Sequence, residues 1–239
     1  MTDFFKFETV KEDLPFYNGV PEIPAWSWIL LLAGLVAYVM LVKHIPVELN
    51  YKIFPIALML STTLPILIVA RGNYGYFFKK ISMGDVKYII LTVILSFIYS
   101  IVFGAIFYMA EGMPQSMLQL MGYEISISYT IEVILPLFIQ LMGEELFKVI
   151  IILIMMLILY KFSKNRKASL AVSVFVALVL FGLMHAGEYG SFLRVIVVQG
   201  IGSIFDVLLY LKTKNVFASY LSHLLFDIIS LSITGQLLF

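Results

Sequence analysis

Long apolar runs alternate with short polar connections along most of the chain. The runs cover 26–42, 53–70, 88–109, 131–160, 170–184, 192–211 and 216–238, and most of them are close to the roughly 20 residues that cross a bilayer as a helix. The fourth run would be about 45 Å long as a single helix, so it must tilt, protrude or break, and Pro136 offers a place to break. The pattern predicts an all-α, polytopic membrane protein with about seven transmembrane helices.

The first 25 residues differ from the rest of the chain. They mix acids, bases and aromatics and lack the basic start and apolar core of a signal peptide. We expect residues 1–25 to be a cytoplasmic N-terminal segment that could include a short interfacial helix, and residues 26–239 to form one transmembrane helical domain. The apolar residues of that interfacial helix would be Phe4, Phe5, Phe7, Val10 and Leu14.

Composition supports the membrane assignment. The chain is 62% hydrophobic and 13% charged, whereas soluble domains contain about 25% charged residues. Because cysteine is absent, disulfides, a thiolate nucleophile and a cysteine-based metal site are excluded. The net charge of +1 gives no reason to expect a nucleic-acid partner. The expected surroundings are a lipid bilayer.

Basic residues predict the orientation in the membrane. They concentrate in the loops between runs two and three, four and five, and six and seven, which all fall on one side. These residues are Arg71, Lys79, Lys80, Lys87, Lys161, Lys164, Arg166, Lys167, Lys212 and Lys214. The positive-inside rule then places the N-terminus in the cytoplasm and the C-terminus outside a cell membrane.

Three ionisable side chains, Glu144, Glu145 and Lys148, interrupt the middle of the fourth run. A carboxylate at the centre of a bilayer costs at least a few kcal/mol, so we expect these groups to face a protein interior and to form a functional site. Glu144 and Lys148 share a helix face and can form an ion pair, whereas Glu145 is rotated by about 100°. The two adjacent acids are expected to share one proton, which provides one base and one acid.

Further polar residues lie in the last three runs. Phe181 and His185 share a face at the end of the fifth run. In the seventh run, His223 and Asp227 are one turn apart, so the carboxylate can accept an imidazole N–H. Asp206 in the sixth run belongs to no motif, and we expect it to be a cavity or packing residue.

Each of these patterns also has an ordinary structural explanation. The glutamate pair could mark a misjudged span end, His185 could be an interfacial histidine, and His223 could form a structural hydrogen bond between helices. The depths also disagree. At about 1.5 Å per residue from the cytoplasmic ends, Glu144 lies about 24 Å deep and His185 about 22 Å, but His223 only about 10 Å. A shared site requires a tilted seventh span, a loop at 213–215 that enters the bundle, or a span boundary different from the predicted one.

Three patterns in order connect the chain to a known family. Residues 144–148 have the form E-E-x-x-K, 181–185 the form F-x-x-x-H, and 223–227 the form H-x-x-x-D. With these patterns the chain resembles the superfamily of intramembrane proteases that joins the CAAX prenyl endopeptidase and bacteriocin-processing proteins (CPBP, also called Abi) to the PrsW proteases. The first and third patterns follow the PrsW form. The second follows the CAAX form, whose arginine five residues after the first glutamate is Val149 here. The resemblance covers about 131–238.

The resemblance implies a CAAX-protease-like helical bundle that hydrolyses a peptide bond of a membrane-associated substrate. By analogy, Glu144 is the general base on water, and Glu145 assists it or returns the proton. His185 and His223 orient the water or the oxyanion, and Asp227 holds His223. Two supporting residues complete the implied site, Lys148 beside Glu144 and Phe181 as a wall.

These residue types are compatible both with a bound metal and with its absence. Glu144, His185 and His223 could hold a catalytic Zn²⁺ with a free position for water, and the same residues could act without metal. The substrate is equally open among a prenylated C-terminus, an anti-sigma factor and a leader peptide, and so is the oligomeric state.

Two other functions are compatible with the sequence. One is a catalytically silent membrane protein of the same fold, acting in bacteriocin immunity or as a partner of another membrane enzyme. The other is a proton-coupled or ion-coupled transporter that uses the buried carboxylates. A transporter would be favoured by inverted repeats, but the polar residues lie in the second half of the chain.

Overall fold

The computed structural model describes residues 13–44, 53–113, 135–186 and 191–236, and all regular structure in these ranges is helical. The main helices are α1 (Ala25–His44), α2 (Phe54–Ala70), α3 (Met83–Glu111), α4 (Leu135–Ser163), α5 (Arg166–Met184), α6 (Phe192–Thr213) and α7 (Val216–Gln236). They follow the seven predicted runs in order, which confirms the all-α polytopic class. Five of them (α1, α3, α4, α5 and α6) are long and apolar enough to cross a membrane, and α2 and the segment Val216–Ser232 of α7 are shorter apolar helices.

Helix α4 lies at the centre of the bundle. It packs against α1, α2, α5 and α7, and every residue from Gly143 to Leu153 is buried. Pro136 lies in the first turn, where a missing N–H breaks no helical hydrogen bond, and it does not interrupt the helix as the sequence had suggested it could. An unbroken helix of 29 residues is about 43 Å long, so it must tilt or protrude.

Close helix crossings fix the position of α4. A Cβ at Gly143 would lie 3.0 Å from the backbone of Leu58 in α2, and Thr62 Oγ1 donates a hydrogen bond to the Gly143 carbonyl oxygen at 3.3 Å. On the other side, a Cβ at Gly182 in α5 would lie 2.7 Å from a backbone oxygen of the π-helical turns Val195–Gly200 in α6. Small residues at such crossings let helix backbones approach each other closely.

The described part of the N-terminal segment, residues 13–24, forms turns against the helix ends. Leu14 is 2% exposed and packs in the main core, so its predicted place in an interfacial helix is wrong. The remaining residues of that predicted helix lie before residue 13, outside the described ranges. Turns can bury Leu14 here because the neighbouring loops supply an apolar surface that an isolated segment would lack.

An exposed ion pair fastens this segment to α5. Arg166 Nη2 and Nε donate to the two carboxylate oxygens of Asp13 at 2.5 and 2.9 Å, and the Tyr17 hydroxyl donates to Asp13 at 2.7 Å. Burial raises the pKa of Asp13, but the hydrogen bonds from Arg166, Tyr17 and the Leu14 N–H together bring it below its ordinary value. Burial, with the adjacent carboxylate, raises the pKa of Tyr17 to about 12.

Candidate active site

The acidic pair lies in the fully enclosed part of α4. Glu144 is 4% exposed, Glu145 1% and Lys148 1%. A helix that is buried on all sides is usually apolar on all sides, so three charges here need partners from neighbouring helices. The structure supplies those partners from α5, α6 and α7.

Glu145 is the acid at the centre of the polar contacts. Its Oε1 accepts hydrogen bonds from Lys148 Nζ at 2.6 Å and from His223 Nδ1 at 2.8 Å. The pairing expected between Glu144 and Lys148 is therefore not the one that forms. Lys148 reaches the acid three residues earlier, on the side of α4 that faces α7. The ion pair lies on the same face as the imidazole, so one carboxylate oxygen serves both donors.

The histidine of α7 is held from two sides. An ionised carboxylate can only accept, so His223 Nδ1 carries the hydrogen towards Glu145. The other ring nitrogen, Nε2, lies 3.8 Å from Asp227 Oδ2. The predicted contact between His223 and Asp227 is thus longer than a hydrogen bond, and the shorter contact comes from α4.

Glu144 has a different partner from its neighbour. Gln140 Nε2, one turn earlier on α4, donates to Glu144 Oε1 at 2.8 Å. Sequence reasoning missed Gln140, although its i, i+4 spacing from Glu144 was available as a signal. The two adjacent acids are therefore distinguished, one by an amide donor and the other by an ammonium and an imidazole.

The pair from α5 forms one wall of the site. The Phe181 ring lies 4.9 Å from the His185 ring and 6.3 Å from the His223 ring, with Lys148 Nζ 4.6 Å from its centroid. His185 directly follows α5, and its Nδ1 lies 3.1 Å from the Phe181 carbonyl oxygen. Phe181 is therefore in the position that the sequence indicated for it, beside both imidazoles.

The remaining candidate residues lie near Asp227 on α7. Glu144 and His185 both lie within electrostatic range of Asp227, which is 24% exposed. The five candidate catalytic residues thus occupy one region where α4, α5 and α7 meet.

Asp206 on α6 is the principal residue that sequence reasoning left out of the site. One ligand atom each from Glu145, Asp206 and His223 lie within 4.8 Å of one another. Asp206 is 5% exposed, and its Oδ1 has no hydrogen-bond partner among the described residues. An ionisable residue within a membrane span is a functional candidate even without a motif, and that rule would have identified it.

The contact between His223 and Glu145 shows that these two residues lie side by side, despite the depth mismatch expected from the sequence. In the connection between α6 and α7, Lys214 and Asn215 are 7% and 1% exposed, because the connection between α2 and α3 packs on them. The Asn215 side chain bonds the backbone N–H and carbonyl of Lys79, each at 3.0 Å, and the Val216 N–H donates to the Phe77 carbonyl oxygen at 2.7 Å. Helix α7 therefore starts against the connection between α2 and α3, and its second turn contacts Glu145.

The metal-ligand group differs from the predicted one. The sequence suggested Glu144, His185 and His223, whereas the group whose ligand atoms are gathered is Glu145, Asp206 and His223. Two carboxylates and one imidazole are donors that Zn²⁺ accepts. However, the Lys148 ammonium lies 2.6 Å from the same Glu145 oxygen, and its charge opposes a divalent cation at this position.

Comparison with known proteins identifies the part of the chain that holds this site. Residues 125–229, somewhat less than half of the chain, match the model of a family described as type II CAAX prenyl endopeptidase Rce1-like. No curated protein and no solved structure matches the chain. The matched segment includes the acidic pair, the Phe181–His185 pair and the His223–Asp227 pair, and it supports a membrane protease. The segment that builds the buried site is therefore similar to the Rce1-like CAAX prenyl endopeptidases, which confirms the resemblance to the CPBP superfamily.

Proposed function

We propose that the protein is an intramembrane endopeptidase of the CAAX type in which Glu144 activates the hydrolytic water. The observation that carries this proposal is the 2.8 Å hydrogen bond between His223 Nδ1 and Glu145 Oε1. It joins the acidic pair of α4 to the α7 motif inside a buried site, within a segment that matches an endopeptidase family. Amide hydrolysis needs a base for water, a donor for the oxyanion and an acid for the leaving amine, and these residue types supply all three.

The two glutamates have different roles in this proposal. Oε1 of Glu145 already accepts from Lys148 and His223, so we assign it to positioning rather than to proton transfer. Glu144, which receives one amide hydrogen bond from Gln140, is then the general base. It takes a proton from water as the water oxygen adds to the carbonyl carbon. The same carboxyl group gives that proton to the leaving amine when the C–N bond breaks.

The histidines orient the reacting groups. Because Glu145 holds the Nδ1–H of His223, the Nε2 atom is the one assigned to the substrate carbonyl oxygen, and Asp227 at 3.8 Å stabilises the imidazolium. The Nδ1 atom of His185 faces the Phe181 carbonyl oxygen, so we assign its Nε2 to the attacking water.

We also propose that the chemistry runs on the glutamates without a resident metal. The support is the buried Lys148 ammonium, which already neutralises Glu145 and would repel a divalent ion bound to the same oxygen. A bound Zn²⁺ would supply a more acidic water, and Glu145, Asp206 and His223 are the residues that would hold it. No step of the proposed mechanism depends on it.

The family description suggests the first substrate to examine. Rce1-like proteins are described as prenyl endopeptidases, so we propose a peptide with a prenylated C-terminus over a leader peptide or an anti-sigma factor. The exposed apolar surface of the helices allows such a lipid-bearing substrate to approach from the bilayer.

The decisive experiment measures cleavage of a prenylated peptide by the purified protein in lipid nanodiscs. Glu144→Gln keeps the shape and the hydrogen bond from Gln140 but removes the base, so cleavage should be abolished. Glu22→Gln, at an exposed glutamate outside the helices, should behave as wild type. A strong chelator should leave wild-type cleavage unchanged.

Other outcomes distinguish the alternatives. Cleavage that survives Glu144→Gln would remove the assigned base. Cleavage that is lost on chelation and returns with Zn²⁺ would overturn the metal-free mechanism. A wild-type protein that cleaves neither prenylated nor unprenylated membrane peptides would favour the catalytically silent reading.

The same proposal includes the orientation of the protein, with the N-terminus in the cytoplasm. Its support is that the basic loops meet at one end of the bundle. The Asn215 side chain bonds the Lys79 backbone, and Lys212 Nζ lies 5.5 Å from the ring of Tyr88. Because the chain has no cysteine, Lys164→Cys introduces a unique thiol at this end. An impermeant thiol reagent should label it in broken membranes and not in intact cells.

A further inference from the structure

Five buried polar side chains on α3, α6 and α7 each have an oxygen atom without a close hydrogen-bond partner among the described residues, and two of them, Ser222 and Asp206, lie near enough to act on each other. The five are Thr92, Ser96, Asp206 (through Oδ1), Tyr210 and Ser222, with exposed fractions of 0, 6, 5, 1 and 0%. Buried polar groups in proteins almost always have a partner, because burying one without a hydrogen bond costs free energy. Lipid tails cannot supply a partner, so five such groups on three adjacent helices require another source.

Contacts between α3 and α6 place four of these groups along one stretch of the interface between these helices. The helices are antiparallel: Lys212 Nζ lies 5.5 Å from the Tyr88 ring near one end, and the Tyr99 hydroxyl donates to the Val197 carbonyl oxygen at 2.9 Å further along. The two polar residues of α3 and the two of α6 all lie between these contacts. Within each pair the spacing is four residues, so the two side chains share a helix face.

Contacts between α3 and α7 place the fifth group, Ser222, along the same stretch of α3. Ile89 packs with Ala218 in one apolar cluster, and the rings of Phe97 and Phe226 are 4.7 Å apart. Ser222 lies midway between the two contacting residues of α7. The polar residues of α3 lie between its own two contacting residues, so all five groups lie along the stretch where α3, α6 and α7 meet, and the Tyr210 ring also packs in the main core.

This interface borders the candidate active site. Asp206 has a ligand atom within 4.8 Å of those of Glu145 and His223, and Ser222 directly precedes His223 on α7. Asp206 therefore belongs both to the acidic site and to the row of unpartnered polar groups.

We propose that these five residues, the polar seam, bind a cluster of buried water molecules that adjoins the glutamates and supplies water to them. Each buried water typically makes two to four hydrogen bonds, so a few molecules satisfy all five side chains. The inference rests on the proposed function, since hydrolysis consumes one water molecule for every peptide bond that it breaks. Two other unpartnered hydroxyls, Ser27 and Thr63, lie on α1 and α2, outside the seam.

Radiolytic hydroxyl labelling tests the water cluster without reference to activity. X-ray pulses generate hydroxyl radicals from bound water, so Tyr210 should be oxidised although its side chain is buried. Met156 is the internal control: it is 0% exposed in the same apolar core that holds the Tyr210 ring, it is not among the unpartnered polar groups and it is intrinsically more reactive, yet it should label several-fold more slowly. The variant Thr92→Val/Ser96→Ala should reduce Tyr210 labelling several-fold. If Tyr210 is labelled as slowly as Met156, the proposed water cluster is wrong.

Kinetics test the supply of water. Thr92→Val/Ser96→Ala should lower kcat several-fold with KM unchanged, because the seam lies behind the site and does not touch the substrate. Ser222→Ala removes a single hydroxyl and should produce a smaller decrease in kcat. It keeps the test valid if the double variant misfolds. Ser27→Ala is the matched control, since it removes an equally buried and unpartnered hydroxyl elsewhere, and it should retain wild-type kcat.

The two measurements separate the two proposals. If the double variant loses the Tyr210 label but keeps full kcat, the cluster exists and its role in hydrolysis is overturned. If Glu144→Gln retains cleavage while Tyr210 still labels rapidly, the proposed function fails and the water site stands.

Discussion

Two carboxylate and cation pairs in this protein have similar geometry in opposite surroundings. Glu145 and Lys148 are 2.6 Å apart with side chains 2% and 1% exposed, whereas Asp13 and Arg166 are 2.5 Å apart with side chains 35% and 27% exposed. An exposed pair contributes about 0–1 kcal/mol, because water solvates both partners when they separate. A buried pair has no such alternative, so each member depends on the other.

The comparison shows that contact distance does not reveal what an ion pair does. The pair between Asp13 and Arg166 fastens the N-terminal segment to α5 and carries no chemistry. Burying the pair between Glu145 and Lys148 costs several kcal/mol per ion in desolvation, and a well-packed apolar pair of similar volume would be at least as stable. Its place beside His223 agrees with a functional reason for charge at this depth.

The largest expected effect comes from removing the buried carboxylate. Glu145→Gln leaves the Lys148 ammonium buried without its closest counter-charge, so the free energy of unfolding should fall by about 3–5 kcal/mol. Cleavage should also be lost, because an amide at this position no longer supplies the negative charge that stabilises a protonated His223. Thermal unfolding in detergent and the peptide assay measure the two effects.

A double variant serves as the control for this prediction. Glu145→Gln/Lys148→Met removes both charges, so most of the lost stability should return while cleavage stays absent. If Glu145→Gln alone unfolds at the wild-type temperature, the buried pair behaves like an exposed one and the contrast between the two pairs is wrong.

An intermediate effect is expected from the imidazole. His223→Ala leaves Glu145 bonded to Lys148, so only one hydrogen bond to a charged group is lost, and the free energy of unfolding should fall by about 1–3 kcal/mol. Cleavage should be lost as completely as in Glu145→Gln. A stability loss as large as that of Glu145→Gln would indicate that His223, rather than Lys148, is the main partner of the carboxylate.

The smallest effect is expected at the exposed pair. Arg166→Leu should lower the free energy of unfolding by about 0–1 kcal/mol and leave cleavage unchanged. The folded-state pKa of Asp13 lies below its ordinary value of 3.8, so the contribution is present above pH 3.8 and is lost as the pH falls through the folded pKa.

Acid unfolding of the two proteins checks the sign of this effect. The stability difference between wild type and Arg166→Leu should be constant near neutral pH and should vanish at the acid end. A difference that grows as the pH falls would contradict the lowered pKa of Asp13.

Much of the fold could be read from the chain because apolar runs are the dominant signal in a membrane protein. The seven runs became seven helices, and charges in the middle of the fourth run located the site. Local spacing was a weaker guide. It favoured Glu144 as the partner of Lys148, although i, i+3 and i, i+4 pairs are both within reach on a helix. In the structure Lys148 pairs with Glu145 instead, on the same oxygen that accepts from His223. His223 lies 78 residues away in sequence from this carboxylate.

The sequence by itself determined the class of the protein, its helices and the residue types available for chemistry, because hydropathy and spacing are local properties. Tertiary structure alone decided which glutamate holds the imidazole, that Asp206 lies beside it, and that the start of α7 is covered by the connection between α2 and α3. These features depend on contacts of the Lys214–Asn215 loop and on close crossings such as that at Gly143. Such contacts join residues far apart in the chain, and no spacing rule encodes their distances.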